Sequence, residues 1–268
     1  MMKRVLFPVD FSPRCADVSR AVRALSAHHA AELTLVHVTP EGSPEKQAAF
    51  EKLSTFGGSF EGIIRRLVME GPVAASIVDY ARTWPADLII MPTHGQTRFR
   101  QLLLGSVTAS VLHDAECPVW TTAHQPGGGP LPEAYRSVVC AIDMGPLSAG
   151  VLRAAKAFAA SWGATLHVIH AVPAIDPRLH SAPADRAHQF LVQTARMDYP
   201  ALAAEAGVDS VLEIMEEPSL VDCVAAACRK HSADLLVIGR GAIQGVMGRL
   251  RTNAHEIIRN SPCPVLSI

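Results

Sequence analysis

Two glycine-containing segments in the first half of the chain have a spacing that suits a phosphate-binding turn. Gly95 comes shortly after an apolar run, and after nine intervening residues Gly105 and Ser106 open a stretch with helical periodicity. The first backbone N–H groups of a helix have no partners within the helix, and the helix dipole makes that end positive. A phosphate can therefore bind there without a dedicated basic side chain. The same residues also suit an ordinary turn and helix cap, so both interpretations stay open.

Residues 239–252, in the second half, are rich in residue types that hold anions. The segment contains four glycines and three arginines. Glycine lets the backbone approach a ligand closely, and arginine binds phosphate with two parallel hydrogen bonds. A solvated basic loop, or one that packs against the other half of the chain, is the alternative. The candidate anion-binding residues are Asp143, Gly239, Arg240, Gly241, Arg249, Arg251 and Thr252.

The second half of the chain repeats the first. The run Val5–Asp10 corresponds to Val138–Asp143 at a spacing of 133 positions, and Cys117–Val119 corresponds to Cys263–Val265 at a spacing of 146. Repetition on this scale indicates two copies of one structural unit. The difference in spacing predicts a longer insert in the second copy, around residues 173–207.

A short segment between the copies has the composition of a linker. Residues 124–132 contain three glycines and three prolines, which cannot hold a helix or a central strand. We therefore predict a first domain over residues 1–123, a linker over residues 124–134 and a second domain over residues 135–268. Because the linker is short, we expect the two domains to pair within one chain.

Within each copy, apolar runs typical of buried strands alternate with helix-like spacing. Val5–Val9 is a continuous apolar run, as expected for a strand that is covered on both faces. Ser12 and Pro13 then suit the N-cap and the first position of a helix. Strands that alternate with helices indicate right-handed crossovers and a parallel sheet. We predict an α/β fold with two tandem open parallel-sheet α/β sandwiches of about five strands each.

The composition argues against several classes of function. The formal net charge is −1, from 24 basic and 25 acidic side chains, so no global basic field attracts nucleic acid or a membrane surface. No apolar run approaches the length of a membrane span. The six cysteines form no CxxC pair, which indicates free thiols in a reducing compartment, and we predict a cytoplasmic protein. Metal-binding HExxH, Walker A and GxSxG motifs are absent from the sequence, and we predict neither a metal site nor an enzyme.

Several motifs together resemble the universal stress protein family in a tandem two-domain form. They are Pro8–Ser12, Leu35–Val38, Thr93–Gly95, Leu102–Val107 and Cys117–Val119. The second copy carries the resemblance more loosely. The resemblance implies an adenine-nucleotide-binding α/β fold, like that of the adenine nucleotide alpha hydrolases. It also implies a role in stress responses without established turnover, and dimers in many members.

The resemblance assigns binding roles to residues of the first copy. Asp10 and Val38 would face adenine and ribose, and the phosphates and ribose would be held by Gly95, Gly105, Ser106, Val107 and Thr108. The expected ligand is ATP or ADP, and Mg²⁺ could accompany it. Pro92 stands where the family pattern has its first glycine, and in the second copy Arg251 and Thr252 stand at the positions of Gly105 and Ser106.

The resulting functional prediction is a non-enzymatic regulator that binds an adenine nucleotide in its first domain. The alternative is a family scaffold that has lost the nucleotide and acts through protein–protein contacts. A homodimer and an unidentified protein partner are expected in either case. An ATP-hydrolysing or adenylate-transferring enzyme would need a general base or a metal carboxylate near the phosphates, and the glycine-rich segments supply neither.

Overall fold

The structure is a computed structural model that describes residues 2–58, 60, 62–93, 104–122, 131–175, 181–240 and 249–268, with only the backbone of residues 249–253. The chain divides into two compact units, which comprise chiefly Met1–Thr122 and Tyr135–Leu266. The proposed linker lies largely outside the described residues, and the domain limits that the sequence predicts stay a prediction.

The first unit is a parallel sheet with helices between its strands. Its strands are β1 (Arg4–Pro8), β2 (Glu32–Thr39), β3 (Ile64–Glu70), β4 (Leu88–Met91) and β5 (Val119–Thr121). Its helices are α1 (Pro13–His28), α2 (Lys46–Thr55), α3 (Val73–Thr83) and α4 (Ser106–Asp114). The strands lie in the order β3-β2-β1-β4-β5, and each neighbouring pair is parallel.

Local sequence explains why the first strand and helix form where they do. Val5, Leu6 and Phe7 of β1 are fully buried, as a run without polar alternation predicts. The Ser12 hydroxyl accepts a hydrogen bond from the Cys15 amide at 3.1 Å, and Pro13 opens α1. The N-cap and proline that the sequence predicts at this helix start are therefore confirmed.

The second unit has the same order of elements. Its strands are β6 (Ser137–Ile142), β7 (Thr165–Ala171), β8 (Leu212–Met215), β9 (Leu235–Ile238) and β10 (Val265–Ser267). Its helices are α5 (Ser148–Trp162), α6 (Ala182–Ala206), α7 (Leu220–Lys230) and α8 (Arg249–Asn260). The strand order is β8-β7-β6-β9-β10, and β6 pairs in parallel with β7 and β9. The predicted α/β fold, with five strands in each unit among the described residues, is confirmed.

The two units differ most in the helix after the second strand. In the first unit α2 has 10 residues, whereas α6 of the second unit has 25. The additional residues that the unequal spacing predicts around 173–207 therefore lie largely in α6.

Candidate functional site

The strand order of the first unit creates a crevice at the carboxyl ends of β1 and β4. The chain continues from β1 to β2, which pairs with one edge of β1, whereas β4 pairs with the other edge of β1. In open α/β sheets, ligands bind at such a switch point. Asp10 follows β1, Val38 is the penultimate residue of β2, and Gly105 and Ser106 begin α4. Gly95, the remaining predicted site residue of this unit, lies outside the described residues.

Asp10 shapes the turn that leaves β1. Its Oδ1 accepts a hydrogen bond from the Ser12 amide at 2.9 Å. Between them, Phe11 has a φ of 58°, a left-handed conformation that is uncommon for a bulky residue. Unusual backbone of this kind is found preferentially at functional sites, where surrounding contacts hold it in place. The turn fixes the Asp10 carboxylate at the edge of the crevice.

His37 ties the ends of the two neighbouring strands together. Its Nδ1 lies 2.6 Å from the carbonyl oxygen of Val9, so Nδ1 carries the proton and donates it. The ring centroid of His37 is 4.6 Å from that of Phe11. His37 is therefore a hydrogen-bonded histidine near the end of its strand. Val38 beside it is 9% exposed and pairs with Met69 of β3.

The segment between β4 and α4 is anchored at both of its described ends. The Gly105 amide donates to the carbonyl of Thr93 at 2.9 Å, and the buried Thr108 hydroxyl donates to the carbonyl of Pro92 at 3.0 Å. The hydroxyl oxygens of Thr93 and Thr122 lie 3.2 Å apart. These contacts fix where α4 begins, and none of them could be predicted from the sequence.

Two of the residues predicted to bind phosphate already donate hydrogen bonds to other parts of the protein. The Gly105 N–H and the Thr108 hydroxyl both have partners within the protein. The backbone N–H groups of Ser106 and Val107 have no acceptor among the described residues, and no acidic residue occupies the first turn of α4. Ser106 is exposed and Val107 is half-buried. The start of α4 therefore presents two amides without described acceptors and a positive dipole end, which together suit an anion.

Cys15 lies beside Asp10 and is unsuited to nucleophilic chemistry. Burial, together with the neighbouring carboxylate of Asp10, raises the pKa of Cys15 to about 12. A thiol with such a pKa stays protonated at neutral pH, and the thiolate is the reactive form. Within the part of the chain that the structure describes, no cluster of three or more His, Cys, Asp or Glu side chains is arranged to hold a metal ion.

The second unit reproduces the turn after its first strand with one important change. Met144 has a φ of 60°, and Asp143 Oδ1 accepts from the Gly145 amide at 2.8 Å. The same oxygen also accepts from the Ser148 hydroxyl at 2.9 Å. Ser148 corresponds in position to Cys15, whose thiol is a much weaker donor. One oxygen of Asp143 therefore accepts two hydrogen bonds from its own turn and from the start of α5.

The residues after β9 have structural roles that do not require a ligand. A side chain at Gly239 would place its Cβ 3.1 Å from a methyl carbon of Val151 in α5, so close helix packing favours glycine there. The Arg240 amide donates to the carbonyl of Ile268 at 3.0 Å. Gly241 lies outside the described residues. The structure places Arg249, Arg251 and Thr252 in the first turn of α8 and does not describe their side chains.

Comparison with known proteins identifies the family. The model of the universal stress protein family matches residues 61–122 and 134–268, which is most of the chain. The chain belongs to the universal stress protein family. The match in two segments also agrees with the tandem form that the internal repeat predicts. Among the described residues, no helix combines the length and the apolar character that crossing a membrane requires.

Individual relatives and solved structures agree with this assignment. Universal stress protein Sll1654 of Synechocystis is 32% identical over 132 residues, which are 44% of this chain and 84% of that protein. A functionally unknown protein from Pseudomonas aeruginosa covers the whole chain with a TM-score of 0.68 and 20% identity, over 92% of its own length. A universal stress protein from Archaeoglobus fulgidus covers 98% of this chain and 95% of its own, with a TM-score of 0.63 and 20% identity. The last two similarities establish the fold.

Proposed function

We propose that this universal stress protein is a non-enzymatic regulator whose first unit binds an adenine nucleotide, ATP or ADP. One observation carries the proposal: the amides of Ser106 and Val107 have no acceptor among the described residues, at a helix start next to the switch point of the sheet. Helix starts of this kind bind phosphate through their backbone N–H groups.

The surrounding residues favour a nucleotide over inorganic phosphate. The Asp10 carboxylate at the end of β1 is suited to accept hydrogen bonds from ribose hydroxyls. Val38, near the end of β2, is 9% exposed, so the apolar contact that it can offer a base is small. Mg²⁺ usually binds through phosphate oxygens and water molecules, so a bound triphosphate could carry the ion without a carboxylate cluster of the protein.

The first unit is the better candidate of the two. Asp143 already accepts two hydrogen bonds on one oxygen, from Gly145 and Ser148. The Arg240 amide, which follows β9, donates to Ile268. An anion site around residues 239–252 stays a secondary prediction, because the side chains of Arg249 and Arg251 fall outside what the structure describes.

Regulation, rather than turnover, agrees with the chemistry of the crevice. Burial and Asp10 keep the neighbouring Cys15 thiol protonated, so it does not provide a nucleophile. A nucleotide that contacts the ends of β1 and β2 and the start of α4 would stabilise one arrangement of these elements over others. That arrangement could in turn be recognised by a protein partner. The six free cysteines agree with action in the reducing cytoplasm.

Native mass spectrometry and calorimetry test the proposal. Gently purified protein should carry or bind one adenine nucleotide per chain, and ATP or ADP should bind more tightly than GTP. Asp10→Asn keeps an oxygen for the Ser12 amide but removes the charge, so the dissociation constant should rise about tenfold. The equivalent change Asp143→Asn should leave the affinity unchanged. Failure to bind any nucleotide would contradict the proposal, and a loss of affinity in Asp143→Asn would move the site to the second unit.

One observation favours the scaffold alternative. Pro92 has no amide hydrogen, and the Gly105 amide donates to Thr93, so two potential phosphate donors near the loop are missing. If the remaining donors are too few, the protein would act through its surfaces without a nucleotide. In that case calorimetry would detect no ATP or ADP binding, and the variants of Asp10 and Asp143 would behave alike.

A further inference from the structure

Two buried cysteines of the second unit lie against each other. Cys228 is near the end of α7 and Cys263 is in the turn that leads into β10, so they are 35 positions apart in the chain. Their exposed fractions are 1% and 5%, and their thiols form a hydrogen bond with each other. Only cysteines that are neighbours in this way can be joined by a disulfide without a large movement of the backbone.

The first unit has a single thiol at the equivalent place. The helices α3 and α7 both have 11 residues, and Ala81 is the ninth residue of α3, as Cys228 is the ninth residue of α7. Both of these helix positions are buried, and Cys117 of the first unit corresponds to Cys263. The shared fold therefore accepts alanine at this helix position, so packing alone does not explain the second thiol.

The hydrogen bond between the thiols gives them different acidities. It lowers the pKa of Cys263, and the same bond, together with burial, raises the pKa of Cys228. By contrast, burial raises the pKa of Cys140, a thiol in β6, to about 12. The thiolate is the reactive form of cysteine. Cys263 is therefore the thiol of the pair that reacts first, and Cys228 keeps its proton.

We propose that Cys228 and Cys263 are a modification site at which hydrogen peroxide converts the two thiols into a disulfide. The thiolate of Cys263 attacks one peroxide oxygen and the O–O bond breaks, which gives a sulfenic acid and a hydroxide that takes up the proton released by Cys263. The sulfur of Cys228 then attacks the sulfur of Cys263, and the S–O bond breaks. The departing hydroxide takes the thiol proton of Cys228. The two thiols together lose two electrons, and one peroxide becomes two water molecules.

A groove between α7 and α8 brings solvent close to the pair. The described side chains leave a cavity of about 380 Å³ there, and Ala225, Arg229 and Asn260 are part of its lining. Ala225 and Arg229 lie on either side of Cys228 in α7, and Asn260 ends α8 just before the turn that holds Cys263. Hydrogen peroxide is only slightly larger than water, which takes up about 30 Å³ in the liquid, so the groove can hold it.

The disulfide would tie the end of α7 to the turn after α8. It would close a loop that contains β9 and α8, and such a cross-link restricts the unfolded chain. Disulfides of cytosolic proteins are usually transient and serve redox sensing, which agrees with a bond that forms and is reduced again. Because both thiols belong to the second unit, the inference does not rest on nucleotide binding by the first.

Thiol trapping and peptide mass spectrometry of the full-length protein test the site. Hydrogen peroxide is added and then removed with catalase, and the remaining thiols are alkylated in denaturant. A disulfide between Cys228 and Cys263 should form, dithiothreitol should restore both thiols, and the isolated buried thiol of Cys140 should stay reduced. Cys117 is half-buried, so Cys117→Ser is the control for disulfide exchange, and this variant should form the same disulfide.

Replacing Cys228 with alanine tests the order of the two steps. Cys228→Ala reproduces the arrangement at Ala81 in the first unit, so the second unit should keep its fold. The sulfenic acid of Cys263 then has no thiol to attack it, and dimedone, a reagent for sulfenic acids, should label Cys263. The wild-type protein should lose this label, because the disulfide forms instead. Cys263→Ser should form neither the disulfide nor a dimedone adduct at Cys228.

Three results would overturn the proposal. The first is that Cys228 and Cys263 both stay reduced at a peroxide dose that oxidises Cys117. The second is that either thiol joins Cys117 as often as its neighbour, which would show that the chain unfolds before it is oxidised. The third is an absence of dimedone label on Cys263 in the folded Cys228→Ala variant.

Discussion

Replacing Ser106 with proline should remove one backbone donor from the proposed phosphate site and leave the fold intact. Ser106 is the first residue of α4, where proline is well tolerated because the N–H at that position has no partner within the helix. Gly105 before it has a φ of −57° and a ψ of 139°, which suits a residue that precedes proline. The substitution therefore acts on the ligand rather than on the helix.

The structure sets the expected size of the effect. The Ser106 amide has no acceptor among the described residues, so in the free protein its removal breaks no described hydrogen bond. In the complex it would cost a hydrogen bond to a charged phosphate, worth about 1.5–3 kcal/mol. That loss corresponds to an increase of about 10- to 100-fold in the dissociation constant of ATP or ADP. The free energy of unfolding should stay the same or rise slightly, because proline restricts the unfolded chain.

Titration calorimetry and thermal denaturation measure the two quantities separately. Ser106→Ala removes the hydroxyl but keeps the amide, so the difference between the two variants isolates the backbone donor. Val73→Pro is the matched control, because Val73 is the first residue of α3 and is 40% exposed. If Ser106→Pro binds ATP within about twofold of Ser106→Ala, the amide makes no phosphate contact and the reasoning is wrong.

Three further predictions concern stability. Thr108→Val should lower the free energy of unfolding by about 1–2 kcal/mol in chemical denaturation, because the carbonyl of Pro92 loses its described hydroxyl donor; an unchanged midpoint would contradict this. Gly239→Ala should cost about 1 kcal/mol or more, since the new methyl group meets Val151, and Val151→Ala in the same chain should recover part of that loss. Burial lowers the pKa of His167 below 6.5, so the unfolded chain binds the proton more readily and stability should fall as the pH drops below about 6.5. His167→Gln should weaken that pH dependence, and a pH profile identical to that of the wild type would refute the assignment.

Features governed by local sequence could be predicted well. The buried run of β1 and the Ser12-Pro13 start of α1 follow from residue types that are adjacent in the chain. The repeat also relates Val138–Asp143 to Val5–Asp10, and the structure has a strand at this place in both units. Such features depend on neighbours in sequence, so a single chain contains the information.

Features that depend on how distant segments meet could not be predicted. The sequence alone suggests that the Gly105 amide is available to bind phosphate. In the structure, this amide donates its hydrogen bond to the carbonyl of Thr93. Thr93 and Thr122 are 29 positions apart, and no periodicity relates them. The need for glycine at position 239 could not be predicted either, because it depends on contact with Val151, which lies far away in the sequence.

A crystal structure of the protein grown with ATP or ADP would show whether the first unit binds a nucleotide at the start of α4. We expect density for phosphate groups within hydrogen-bonding distance of the Ser106 and Val107 amides, with the sugar and base toward Asp10 and Val38. A crevice that stays empty at saturating nucleotide, or nucleotide density only beside the first turn of α8, would contradict it.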